Sequence, residues 1–148
     1  MKILNLFAGI GGNRTLWDDN HEITAVEHDE RIAEIYKKRF PNDIVVIGDA
    51  YDYLEFMYKG FDFIWASPPC TTHTQLCRWH KNKKLPDMRL YSIITFLRSW
   101  SNSFWVVENV LPYYHALISP TAKVGRHLIW ANFSIKNLPY NGSEIETG

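Results

Sequence analysis

"KILNLFAGIGG", residues 2–12, sets a run of strand-forming residues directly against a glycine turn. The apolar run reads as a buried strand, and the glycines permit backbone conformations that other residues resist. A parallel α/β sheet begins this way. "EITAVE" (22–27) reads as a second strand, and "DERIAEIYKKRF" (29–40) as a helix with Asp29 at its N-cap and Ile32, Ile35 and Tyr36 on one face, stopped by Pro41. "DIVVIGD" (43–49), "FDFIWA" (61–66) and "SFWVVEN" (103–109) supply strands three to five, with a helical apolar stripe in "DMRLYSIITFLRSW" (87–100) and a sixth strand in "GRHLIWANF" (125–133). Strands alternating with helices predict a doubly wound, mostly parallel sheet in one domain covering residues 1–148.

The whole chain narrows the class. A 46% hydrophobic and 22% charged composition argues against disorder. No apolar run approaches the roughly 20 residues that span a bilayer, and the N-terminus lacks the pattern of a signal peptide, so a cytoplasmic protein is expected. In a reducing compartment Cys70 and Cys77 are thiols. Sixteen basic and sixteen acidic residues cancel, so bulk charge does not announce a nucleic-acid binder. Arg78, Lys81, Lys83, Lys84 and Arg89, with His80, nevertheless crowd one stretch beside only Asp87, which suits either a solvated loop or one that meets phosphates.

Ligands of doubly wound sheets bind beyond the carboxyl ends of the strands, and the chemically distinctive residues fall at those ends. They are the glycines of "FAGIGG" (7–12), then Glu27, Asp49, Cys70 and Glu108. Gly9 and Gly11 are followed by Asn13 and Arg14, which breaks the G-x-G-x-x-G pattern and weakens a nicotinamide reading. Glu27 and Asp49 are each explicable as helix-end residues, but beside a glycine loop they favour an adenosine-containing cofactor. Pro68 and Pro69 fix two backbone angles, so Cys70 is held stiffly, as a nucleophile requires and a packing cysteine does not. Cys77 lacks that support and reads as structural. Glu108, at the end of an apolar strand and followed by Asn109, is a candidate general acid or a simply hydrated strand-end carboxylate. Cys70, His73, Cys77 and His80 also form C-x2-H-x3-C-x2-H, a spacing a zinc ion could use, although the prolines have no role in such a site.

Taken in order, "NLFAGIGG", "VEHDERIAEIYKKRF", "GDA", "DFIWASPPC" and "WVVENV" resemble successive motifs of the DNA cytosine-5 methyltransferases, especially the short bacteriophage versions, over about residues 2–133. The resemblance implies a Rossmann-like methyltransferase fold, S-adenosylmethionine as cofactor and DNA as partner. Phe7, Ala8, Gly9, Ile10 and Gly11 would then cradle the methionine part, Glu27 the ribose, and His28 the adenine face. Asp49 and Ala50 would border the base edge, with Pro69 and Leu90 completing the pocket. Cys70 would attack carbon 6 of cytosine, Glu108 would serve ring nitrogen 3, the adjoining Asn109 would belong to the same catalytic group, and Arg126 would contact the cytosine or its phosphate. Arg78, Lys81, Lys83, Lys84 and Arg89 would approach the DNA backbone. Asn5 in place of aspartate, Thr71 in place of glutamine, and the reduced arginine motif in "GRHLIW" depart from the family pattern. Residue 148 falls before the target-recognition region and final motif of the family, so the resemblance leads us to expect a fragment, a partner chain or second copy supplying them, or a catalytically silent cofactor- or DNA-binding module. An amino-group methyltransferase would want an aromatic at position 70, and the zinc module ranks last.

Overall fold

The computed structural model describes residues 1–81 and 84–139. Its strands are β1 (Lys2–Leu6), β2 (Glu22–Glu27), β3 (Ile44–Ile47), β4 (Phe63–Ala66), β5 (Phe104–Val110), β6 (Ala122–Val124) and β7 (His127–Ala131). The helices are α1 (Glu30–Arg39), α2 (Ala50–Met57) and α3 (Arg89–Trp100). They build one sheet in the order β3-β2-β1-β4-β5-β7-β6. β1 to β5 run parallel, β7 returns antiparallel beside β5, and β6 pairs antiparallel with β7. Strand order reverses between β1 and β4, which opens a crevice at their carboxyl ends.

Period-two alternation decides what each face packs against. Trp105 and Val107 of β5 join Leu4, Leu6, Ile64 and Ala66 against Leu54 of α2 and Leu90, Ile93, Ile94 and Leu97 of α3. Full burial of each large side chain there stabilises by roughly 1.5–3 kcal/mol. On the opposite face Tyr36 of α1 packs with Ala8 and Ala25, while Val106 meets Ala122 and Ile129. Asp29 caps α1 as expected, accepting from the N–H groups of Arg31 and Ile32.

Three features go beyond the sequence expectation. After the glycine turn comes a single 3-10 turn, Arg14–Leu16. Arg14 is buried, and its guanidinium donates to Asp43 at 2.8 Å, Asp19 at 2.9 Å and the Trp17 carbonyl at 3.0 Å. A buried cation needs such partners, and they lie on loops, so the chain bends to meet them. Secondly, α2 fills the link between β3 and β4. Thirdly, the expected sixth strand is the second arm of a hairpin, with Gly125 at φ 59° in its turn. Among the described residues no helix is long and apolar enough to cross a membrane.

Candidate functional site

The glycine loop is shaped by its own backbone and by Glu27. Phe7, Gly9 and Gly11 all take positive φ, at 58°, 57° and 83°. The buried Glu27 carboxylate accepts from the Gly9 N–H at 2.9 Å and the Asp29 N–H at 3.0 Å, so the end of β2 braces the loop that follows β1. His28 Nδ1 lies 3.0 Å from Glu27 while its ring is exposed. Arg39 closes the outer side by donating to the Ile10 carbonyl at 2.6 Å. A Cβ at Gly11 would fall 2.4 Å from a Phe40 ring carbon. Gly11 therefore serves close packing against α1, and Ala8 joins the same cluster.

Beside this loop a cleft of about 190 Å³ is lined by Phe7, Val26, His28, Gly48, Asp49, Ala50, Tyr51, Pro69 and Arg89. Five residues that the resemblance assigns to the cofactor, Phe7, His28, Asp49, Ala50 and Pro69, thus line one cleft at the ends of four strands. Asp49 is also the N-cap of α2, accepting from Tyr51 N–H at 2.8 Å. Leu90 does not join them, because the apolar stripe of α3 turns it into the core. Arg89, expected with the basic loop, stands at the cleft instead. Its guanidinium lies 4.5 Å from the centre of the Tyr51 ring and pairs with Asp87 at 2.7 Å.

Cys70 is exposed and Cys77 buried. Ala66 of β4 pairs with Val107 of β5, so the Ser67–Cys70 segment leaves the sheet beside Glu108 and Asn109. The buried Asn109 side chain donates to the Pro68 carbonyl at 3.0 Å and accepts from the Val110 N–H at 2.9 Å. Asn109 thus holds the nucleophile turn in place. Beyond it, the Cys70 carbonyl accepts from His73 and Thr74 N–H groups at 2.9 and 3.1 Å. His73 is buried with Nδ1 2.6 Å from the Tyr114 hydroxyl, which lies 2.9 Å from that of Tyr91. Burial pushes the His73 pKa down, against the opposing pull of Asp87.

A second cleft, of about 720 Å³, is lined by Thr74, Gln75, Leu76, Val110, Leu111, Arg126 and His127. That lies within the roughly 300–1,000 Å³ usual for ligand sites. His127 Nε2 approaches Glu108 Oε1 to 3.5 Å across the β5–β7 pair. The sequence reading left His127 out, since only the hairpin register brings it to Glu108. Trp79, 82% exposed between Arg78 and His80, was also left out, although an aromatic interleaved with basic residues was the available signal. Lys81 and Lys84 are exposed on this loop, Arg78 donates to the Tyr113 carbonyl at 3.3 Å, and Lys83 lies outside the described residues. The zinc spacing does not become a cluster. Cys77 Sγ donates to the Thr71 carbonyl at 3.2 Å, and among the described residues no three His, Cys, Asp or Glu side chains could hold a metal.

Comparison with known proteins agrees with this architecture. A methyltransferase from Agrobacterium tumefaciens described as SAM-dependent superposes with TM-score 0.56 at 15% identity, over 80% of this chain and 40% of that one. A variant of Spodoptera frugiperda DNMT2 gives 0.52 at 27% identity, over 74% and 35%. A putative DNA modification methyltransferase encoded within an Escherichia coli prophage gives 0.50 at 24% identity, over 78% and 33%. The chain spans 33% to 40% of the length of these three proteins. No curated protein matches it. The family model for the C-5 cytosine-specific DNA methylase matches residues 1–122. With its mostly parallel seven-stranded sheet and its Pro-Pro-Cys turn beside Glu-Asn-Val, the chain belongs to the C-5 cytosine-specific DNA methylase family.

Proposed function

We propose that the chain transfers a methyl group to carbon 5 of cytosine in DNA, using S-adenosylmethionine and a transient bond to Cys70. The observation that carries this is the Asn109 to Pro68 hydrogen bond, which ties the turn bearing Cys70 to the strand end bearing Glu108. A thiol and a carboxyl fixed on adjacent strand ends can address one ring from two sides.

The residues at the smaller cleft fit the cofactor. A Cβ built at Gly9 would meet nothing within 4 Å, so the loop leaves open space for a ligand to approach the backbone. Phe7, Tyr51 and Pro69 give apolar walls for a base, and Asp49 an acceptor at its edge. Glu27 Oε2 takes one N–H, from Gly9, and keeps a lone pair for a ribose hydroxyl, while Oε1 takes the Asp29 N–H and lies 3.0 Å from His28 Nδ1. When bound, S-adenosylmethionine supplies an electrophilic methyl group on its sulfonium.

The chain's own residues act on the cytosine. Cys70 adds as thiolate to carbon 6, while the Glu108 carboxyl shares a proton with ring nitrogen 3 and draws the electron pair into the ring. Carbon 5 becomes enamine-like and nucleophilic. Once methylated, carbon 5 gives its proton to solvent water, the electrons of that C–H bond re-form the carbon 5–carbon 6 double bond as the Cys70 thiolate leaves, and ring nitrogen 3 returns its proton to Glu108. A base in a duplex must leave the stack first, at a cost of a few kcal/mol. The exposed Lys81 and Lys84 would meet phosphates, which orient the strand without reading its sequence.

The test is nucleoside analysis for 5-methylcytosine after incubation with S-adenosylmethionine and random-sequence DNA, repeated across protein concentration to read whether a second copy is needed. Product from the wild type and none from Glu108→Gln or Cys70→Ser is expected. Cofactor binding without product at any concentration would leave a silent binding module instead.

A further inference from the structure

The turn that carries Cys70 and the cleft at the glycine loop are joined by a short line of contacts. The Asp87 N–H donates to Thr72 Oγ1 at 2.9 Å. The Asp87 carboxylate receives Arg89 through Nε at 3.0 and 3.1 Å and through Nη2 at 2.7 Å. Arg89 then lies over Tyr51 and forms part of the cleft wall with Phe7, Asp49 and Pro69. Thr72 is two residues beyond Cys70, in a turn closed by the His73 N–H on the Cys70 carbonyl.

A group filling a cleft of only about 190 Å³ must settle against this guanidinium or displace it. The fork of hydrogen bonds makes Arg89 and the Asp87 carboxylate move together, because bidentate pairing fixes both planes. From these contacts we infer that Asp87 is a positioning residue that couples occupancy of the cofactor cleft to placement of the Cys70 thiol. The nucleophile is thereby adjusted when cofactor binds, before DNA arrives. The inference rests on reading the cleft as the S-adenosylmethionine site. The pair itself is solvent-exposed, with 60% of the Arg89 side chain and 29% of the Asp87 side chain accessible, so it adds little to fold stability and can be removed cleanly.

The two cysteines allow a direct readout. Cys70 is exposed and Cys77 buried, so an aromatic disulfide reagent reports on Cys70. S-adenosylhomocysteine is the ligand, and its binding is followed independently by calorimetry. Saturation of the wild type should change the Cys70 reaction rate by roughly fivefold or more, the lower end of typical coupling between sites. Thr72→Val and Asp87→Asn should bind the ligand and lose that change, whereas Thr72→Ser, which keeps the hydroxyl, should retain it. Direct shielding of the thiol by the ligand would survive all three substitutions. An equal change in wild type, Thr72→Val and Asp87→Asn overturns the inference, as does a wild type that binds the ligand with no change in rate. Failure of the wild type to bind S-adenosylhomocysteine overturns the cofactor reading itself, and the coupling with it.

Discussion

Replacing Asn109 by alanine removes one side chain and leaves two backbone groups without their partner, one in the buried Pro68 and one in the half-buried Val110. The Pro68 carbonyl loses its donor at 3.0 Å and the Val110 N–H loses its acceptor at 2.9 Å. An orphaned buried group such as the Pro68 carbonyl costs about 1–3 kcal/mol, whereas the half-buried Val110 N–H can turn to water and adds little. A net loss of about 1–3 kcal/mol lowers the melting temperature by roughly 3–10 °C for a chain of this size. The larger effect falls on chemistry. With Pro68 released, the turn bearing Cys70 is free to shift relative to Glu108, and a displacement of about 1 Å at a reacting group costs on the order of 100-fold in rate. Thermal unfolding measures the first effect, and single-turnover methyl transfer at a temperature where the variant is folded measures the second. An Asn109→Ala protein that melts with the wild type and transfers methyl at the wild-type rate would refute the clamp.

Gly11→Ala places a methyl group 2.4 Å from the Phe40 ring at a backbone φ of 83°, so either the ring or the loop must move; a loss of about 2–4 kcal/mol is expected, read by denaturant unfolding. Arg14→Met leaves Asp43 buried and without its cation, and should destabilise by about 3–5 kcal/mol in the same assay. For His73 the sign follows from a folded pKa below its ordinary value of 6.5: the unfolded chain takes up a proton more readily. Its contribution is therefore complete above that ordinary value and is lost as pH falls through it toward the folded pKa. Unfolding followed across this interval should show wild-type stability dropping with acidity and a shallower drop in His73→Gln; parallel curves would contradict the assignment.

Periodicity carried most of the fold because long apolar runs such as residues 103–109 leave few alternatives to a buried strand. The hairpin arm β6 escaped notice because three residues, Ala122–Val124, present almost no period. The strand-end placement of Glu27, Asp49, Cys70 and Glu108 was legible for the same reason as the sheet, since each ends an apolar run or follows one within a few residues. Side-chain direction was not. Asn109 and Glu108 are neighbours in sequence, yet alternation turns one under the Pro68 carbonyl and the other toward His127. Arg89 shares a basic stretch with Lys84 but is drawn to the cleft by Asp87 and the face of Tyr51, contacts between segments that no local pattern encodes.

The central claim is a covalent bond between the Cys70 sulfur and carbon 6 of a cytosine. An oligonucleotide carrying 5-fluorocytosine, incubated with S-adenosylmethionine and resolved by denaturing mass spectrometry, reads that bond directly, since fluorine cannot leave as a proton does. The account predicts a species with the combined mass of protein, DNA and one methyl group, mapped to Cys70 and absent in Cys70→Ser. Methylated cytosine formed with no trapped species, or a trapped species that persists in Cys70→Ser, would contradict it.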